Sequence, residues 1–364
     1  MKKFIEYIKT CKVNGGFLAS PLYKPYKRVW LRDHAFITYS LLLSGENVKE
    51  EIFWMERILK KEATKVEKLL EINNTDSSDF LNQDNHPRAR YTPFFEEIHE
   101  PWSERQYDGI AMVYGTLLLY ENLLNTNILQ ESLKQLYDLY FEKVYITPCA
   151  DLWEMHDTFI HVQTLGAIYW ALSERIKQLR KEPKKYEKIE ALSKSIKEEI
   201  YTFVRNDVVY KMKSHKNGTP FGLDSSVLLL FTLFNVFDEK DLLESTLNNL
   251  YYHLSSDGFG LRRFLIESEV DEYFGGGVWY ITTYWAAEAY LKLGEKDKTK
   301  KLLKYRFRFP LPEQIIDDPL IFTKEGKQKW LKISESENDG VPGPAEPLTW
   351  SNSEFLRVSL NVPF

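Results

Sequence analysis

Tryptophan stands beside carboxylates and arginines at several separated points of the chain. Trp30 is followed by Arg32 and Asp33, Trp102 by Glu104, Arg105, Gln106 and Asp108, and Trp153 lies between Asp151 and Glu154. Further on come Arg262-Arg263-Phe264 with Tyr273 and Trp279, then Leu311-Pro312-Glu313-Gln314, then Leu348-Thr349-Trp350-Ser351. An indole is a flat apolar platform with one polar edge, while carboxylates and guanidinium groups make directional, charge-assisted hydrogen bonds. A sugar calls for both, because it presents apolar ring faces inside a rim of hydroxyls. One such cluster reads as a core tryptophan with incidental neighbours. Five of the nine Trp in this setting (Trp30, Trp102, Trp153, Trp279 and Trp350) read as a carbohydrate site. Asp33, Asp108, Asp224 and Ser351 also stand where helix N-caps belong, so capping is the first role expected of each taken alone.

Apolar spacing indicates how the clusters are brought together. Segments 3–9, 50–70, 129–144, 184–204, 241–254 and 297–305 carry one apolar stripe at steps of three and four, the mark of a half-buried helix. Segments 34–43, 109–124, 160–172, 226–237, 277–293 and 352–362 are apolar nearly all round and predict helices buried on every side. The two kinds alternate along the whole chain. A buried segment passes to an amphipathic partner through a short turn such as 44–47 or 125–127, whereas the return takes a long connection such as 71–108 or 306–351. Six inner helices inside six outer ones, with every long loop at the end where the inner helices begin, make an all-α (α/α)6 barrel. An α-solenoid would show a repeated motif, and the sequence has none. The tryptophan clusters fall in the long loops and would meet at one mouth, where a rigid scaffold fixes loop geometry.

Composition narrows the class. With 43% hydrophobic residues, 17 Gly and 15 Pro in 364 residues, the chain is expected to form a single folded domain over residues 1–364. A net charge of -5 provides no basic footprint for nucleic acid, and the Lys-rich stretch 181–188 reads as a solvated helix face. Cys11 and Cys149 are too few for a disulfide framework and lack metal-ligand spacing, which fits a reducing compartment. Residues 1–10 have no signal-peptide core, and the longest uncharged apolar stretch, 225–237, is too short to span a bilayer. A soluble cytoplasmic protein is expected, with its oligomeric state open.

On its motifs the chain resembles glycoside hydrolase family 15, the glucoamylase family, over nearly its whole length. Trp30, Arg32 and Asp33 are similar to the family's W-x-R-D loop, and Arg105-Gln106-Tyr107-Asp108 to its R-Q-x-D segment. Asp151-Leu152-Trp153-Glu154 resembles the segment around the general acid, and the stretch from Arg263-Phe264 to Gly277-Val278-Trp279 a further conserved loop. The L-P-E-Q and L-T-W-S pair near the carboxyl end completes the set. The resemblance implies an inverting, exo-acting hydrolase of α-linked glucosides, with short oligosaccharides as its small-molecule substrate. Glu154 would protonate the leaving oxygen, and Glu313 would activate water on the opposite face of the sugar. Inversion in one displacement needs the two carboxyls roughly 6.5 to 9.5 Å apart. Glu154 then needs a raised pKa and Glu313 an ionised form, with Tyr26 in the place of a tyrosine that supports the base. Arg32, Asp33 and Arg263 would grip the terminal glucose, and Trp102 and Trp350 would wall the pocket, with Trp30, Arg105, Gln106, Asp108 and Trp153 close by. His161 matches a histidine of bacterial and archaeal relatives, with an ordinary helix histidine as the alternative. No cofactor or metal is implied, since two carboxylates need no Lewis acid.

The chain also departs from the family pattern. Many relatives carry a second Glu after the acid, where this chain has Met155 followed by His156. Neither the amino-terminal β-sandwich of longer relatives nor a starch-binding module is expected. The same residues would serve a trehalase, and segments 81–101 and 322–345 are expected to select the linkage. A catalytically silent sugar-binding barrel and a phosphorylase are the alternatives from other classes. Retained Glu154 and Glu313 argue against the first, and retained Glu313 with no phosphate-cradling glycine motif against the second.

Overall fold

The alternating helices close into a ring. The computed structural model describes residues 1–180, 182–255, 258–266, 269–271, 273, 276–315 and 345–362. In chain order the helices are α1 (Lys2–Thr10), α2 (Leu31–Leu43), α3 (Lys49–Glu71), the single turn α4 (Ser78–Leu81), α5 (Tyr107–Leu124) and α6 (Glu131–Val144). There follow α7 (Val162–Leu179), α8 (Pro183–Tyr201), α9 (Lys240–Leu254), α10 (Tyr280–Leu293), α11 (Lys296–Leu303) and α12 (Thr349–Ser359). Helix α2 packs on α5, α5 on α7, α7 on a 3₁₀ segment (Ser225–Leu230), that segment on α10, α10 on α12, and α12 back on α2. This is the inner ring of an (α/α)6 barrel. Outside it, α8 lies on α7, α11 on α10, α1 on α12, and α3 against α5 and α6.

Burial follows the sequence pattern. In α5 every residue from Tyr107 to Leu118 is buried, whereas α8 buries only the stripe Ile189, Leu192, Ser193, Ile196, Glu199 and Ile200. Glycine sets the closest approach inside the ring. A Cβ on Gly115 of α5 would stand 2.4 Å from the Trp170 ring of α7, and one on Gly166 would stand 2.4 Å from Leu230.

The fourth inner element corrects the expectation of a helix over 226–237. Regular structure stops after Leu230, and Asn235 turns the chain with a φ of 49°. The amides of Phe234 and Val236 fold back to the carbonyls of Leu229 and Leu230. Lys292 of α10 takes up the carbonyl of Phe231, which a longer helix would have used internally, and reaches that of Phe237. The apolar pattern persists there because the segment is buried, not because it is helical.

A second difference lies in the long loops, which contain short antiparallel ladders. Val29–Trp30 pairs with Arg90–Tyr91, Ile160–His161 with Met212–Lys213, Leu223–Asp224 with Phe264–Ile266, and Val278–Trp279 with Gln314–Ile315. Each first-named strand leads straight into an inner element, so its last residue is both strand and N-cap. The cap of α2 is accordingly Trp30, and those of α5 and α12, which no such ladder precedes, are Gln106 and Leu348. Asp33, Asp108 and Ser351 lie inside the first turn instead. Asp224 alone of the four expected caps fills that role, accepting the Ser226 amide at 2.7 Å. No helix among the described residues is long and apolar enough to cross a membrane.

Candidate active site

At the mouth, where the inner helices begin, a cavity of about 1480 Å³ opens between the ladders. Its lining includes Tyr26, Trp30, Arg32, Asp33, Trp102, Trp153, Glu154, Arg263, Glu313 and Trp350. Glu154 sits on a tight loop with a φ of 67°, an uncommon conformation for a residue with a Cβ. Asp151 builds that loop: its Oδ1 accepts the amides of both Trp153 and Met155 at 2.9 Å, one on each side of Glu154. The Glu154 carboxyl is held by one oxygen, Oε1, which accepts the Trp30 indole N–H at 2.8 Å and the Gln106 amide at 3.1 Å. Gln106 is fixed in turn by Arg32, whose Nη2 donates to Gln106 Oε1 at 2.5 Å and whose Nε donates to Asp108 Oδ2 at 2.7 Å.

Glu313 is held by both oxygens. The Tyr26 hydroxyl stands 3.1 Å from Oε1 and the Tyr273 hydroxyl 3.3 Å from Oε2, and the Ala345 amide donates to Oε2 at 3.1 Å; the two phenols lie 2.7 Å apart, so one of them gives its proton to the other and the other to the carboxyl. Burial and the neighbouring carboxylate push both phenols well above their ordinary range, so they remain protonated donors. Burial lifts Glu313 itself to about 7, against the pull of these donors and of Arg263. Asp33, 7% exposed, is also lifted to about 7. Burial is the main cause and the charges of Glu154 and Glu313 add to it, against Arg32. The raised Glu313 runs against the expectation of an easily ionised carboxyl. These hydrogen bonds and a cation recover only part of what removal from water costs the charge.

Around the carboxyls the walls are aromatic. Arg263 forks onto Asp271 at 2.6 and 2.5 Å, and its plane lies 4.7 Å from the Trp279 ring centre and 5.0 Å from that of Tyr273. Trp102 is 39% exposed, edge-on to Trp30, with the Arg90 guanidinium 4.1 Å over its ring. Trp350 is buried against Phe36 and Trp285.

Three residues read as substrate contacts do not reach the cavity. Gln106 and Asp108 stand behind the wall as the brace of Arg32 and Glu154. Arg105 spends its guanidinium on the carbonyls of Leu81 and Asp157, tying two loops together. Sequence marks these residues as polar and close to the site, but not which side of the wall their side chains take. His161 is buried against the His156 carbonyl, and burial holds it down at about 4, so it is a neutral brace of the Glu154 loop. Asp271 escaped the reading, and Tyr273, placed in a loop cluster, was given no partner there. Their partners Arg263 and Glu313 are reached through a hairpin in which Phe264–Ile266 pairs with Glu269–Val270, a contact that leaves no spacing signal. Phe274, Gly275 and the stretch 322–344 of the expected linkage-selecting loop lie outside the described residues. Among the described residues no group of His, Cys, Asp and Glu is arranged to hold a metal ion.

A closed double ring of helices with carboxyls between indoles at its mouth defines a barrel of the glycosidase class. The model of glycosyl hydrolases family 15 matches residues 8–309, and the chain belongs to that family. An uncharacterized glycosyl hydrolase of Methanocaldococcus jannaschii is 27% identical across 98% of this chain and 54% of its own length. The isomaltose glucohydrolase of Kribbella flavida is 26% identical over 43% of this chain and 42% of its own length. The chain thus spans about half the length of the curated relatives it matches. Among solved structures, a glycosidase in complex with glucose superposes with a TM-score of 0.83 at 20% identity, over 100% of this chain and 96% of that one. The glucoamylase of Saccharomycopsis fibuligera gives 0.57 at 16% identity, over 96% and 89%.

Proposed function

We propose that the chain is an inverting, exo-acting α-glucoside hydrolase that releases β-glucose from the non-reducing ends of short oligosaccharides. The carrying observation is the difference in how the two glutamates are held. Glu313 faces the Tyr26–Tyr273 pair and the Ala345 amide with both oxygens, a setting that an acceptor-only carboxylate suits better than a carboxylic acid, which must donate from one of them. It therefore suits the base that takes a proton from water. Both donors to Glu154 fall on Oε1, and among the described residues none reaches Oε2, so that oxygen is left to carry a proton to the leaving group. Asp33 and Arg32 at the cavity floor would take the outer hydroxyls of the terminal glucose, which makes the reaction exo-acting. The cavity is several times the size of one sugar ring, and its outer part, along Asn82, Gln83, His99 and Trp102, has room for the rest of a short chain. Free, buried Cys11 and Cys149 suit a cytoplasmic enzyme.

Maltose, isomaltose and trehalose assayed by proton NMR test activity, linkage and stereochemistry together. The expected first product is β-glucose, and Glu154→Gln and Glu313→Gln should each abolish release while glucose still binds. First-formed α-glucose, or wild-type rates in both variants, would overturn the proposal.

A further inference from the structure

Behind the wall that carries Glu154 lies a charged group outside the cavity. Lys211 is 3% exposed, and its ammonium sits between two buried carboxylates, 2.5 Å from Asp151 Oδ2 and in contact with Asp224 Oδ2. Each carboxylate holds a different part of the Glu154 loop. Asp151 wraps its two amide bonds around Glu154, and Asp224 accepts the Trp153 indole N–H at 2.8 Å through the oxygen that meets Lys211. The backbone of Lys211 is fixed independently of the loop. Its carbonyl accepts the Val162 amide at the start of α7, and its amide donates to Gly222. Neither Lys211 nor the two aspartates line the cavity. The Glu154 loop is held in an uncommon conformation, which persists only where its surroundings over-determine it.

We propose that Lys211 is a positioning residue that works through Asp151 and Asp224 to aim the Glu154 carboxyl at the leaving oxygen. The inference rests on the reading of Glu154 as the general acid. Lys211 bears chiefly on proton donation, because Glu313, Asp33 and Arg32 are held by other elements and only the Trp153 wall shares its anchor on Asp224. Loss of its charge leaves two carboxylates facing each other, and the loop moves to separate them.

The test compares a disaccharide substrate with α-glucosyl fluoride, whose leaving group departs without a proton from the enzyme. Lys211→Met should lower kcat on the disaccharide about 100-fold with KM within about threefold, while turnover of the fluoride stays within about threefold of wild type. Lys211→Arg, which keeps the charge, should restore part of the loss. Equal losses on both substrates, or an undiminished disaccharide rate, would overturn the proposal. If Lys211→Met does not fold, Asp224→Asn, which keeps the Lys211–Asp151 pair, should give the same selective loss, and its absence counts against the proposal equally. Glu154→Gln is the control: if it too fails to spare the fluoride, the acid assignment falls; if it spares the fluoride and the Lys211 variants do not, only the positioning role falls.

Discussion

Two groups of carboxylates lie within one loop of each other and are equally withdrawn from water, yet they are treated in opposite ways. Asp151, behind the wall, has Lys211 and two backbone amides, and Lys211 holds it far below the usual carboxylate range in spite of burial. Asp33 and Glu313, facing the cavity, are both lifted to about 7 because burial outweighs the charges and donors around them. The difference lies in what each carboxylate faces, since depth is the same. Behind the wall the counter-charge belongs to the protein, so that side is compensated when the chain folds. At the mouth part of the hydrogen bonding is reserved for a substrate, and the fold carries the uncompensated part as lost stability.

Each prediction sets one side of this contrast against the other. The largest effect is expected of Glu313→Gln, which should lower kcat by at least about 1000-fold and at the same time raise the melting temperature at pH 8, since a neutral amide replaces a costly buried charge. Steady-state kinetics and a thermal melt on the same sample check both halves. Asp151→Asn should do the reverse to stability, costing about 3 kcal/mol by denaturant unfolding at neutral pH, because Lys211 is left with only Asp224. Tyr26→Phe should lower kcat about 10-fold. It should also move the acid limb of the kcat/KM profile, expected near 7 from Glu313, to higher pH, since the lost hydrogen bond favours the ionised form. An acid limb that stays in place would detach that limb from Glu313.

The smallest effect is a stability difference with a definite sign. The folded-state pKa of Asp33 is raised, so its contribution is fully present below about 4 and is lost as pH rises through about 7. Asp33→Asn should therefore stabilise the protein at pH 8 and leave it unchanged near pH 4. Asp151 is depressed, so its contribution is present at neutral pH and is lost only as pH falls below about 4. Melting temperatures of the two variants across pH 3–9 should thus diverge from wild type in opposite windows, and parallel curves would remove the contrast.

The ring was legible in the sequence because burial on all sides and burial on one side leave different periodicities, and α5 and α8 differ in that way. The inner segment after Asp224 was misread for the same reason: periodicity reports burial, and a buried 3₁₀ turn with a fold-back is as apolar as a helix. Cavity-facing residues such as Trp30, Glu154 and Glu313 were legible by their types. What held them was less so. Asp271 beneath Arg263, Tyr273 on Glu313 and Lys211 between two aspartates depend on which loop lies against which, and pairings between loops leave no local pattern. Arg105 shows the converse, with a suggestive type and neighbours but a side chain turned away from the cavity.

The two-residue ladders at the starts of the inner elements also bear on how such a barrel changes over evolutionary time. Trp30 is pinned to Arg90, His161 to Met212, Asp224 to Phe264 and Trp279 to Gln314, so four of the six inner elements are anchored where their loops end. Residues inserted between anchors, for example between Arg90 and Gln106, would lengthen the rim without shifting the clamp of Arg32 or the perch of Glu154. The mouth can therefore acquire a new outer surface by loop exchange while its floor stays in register, which makes the 92–101 segment the natural place to graft a different linkage preference.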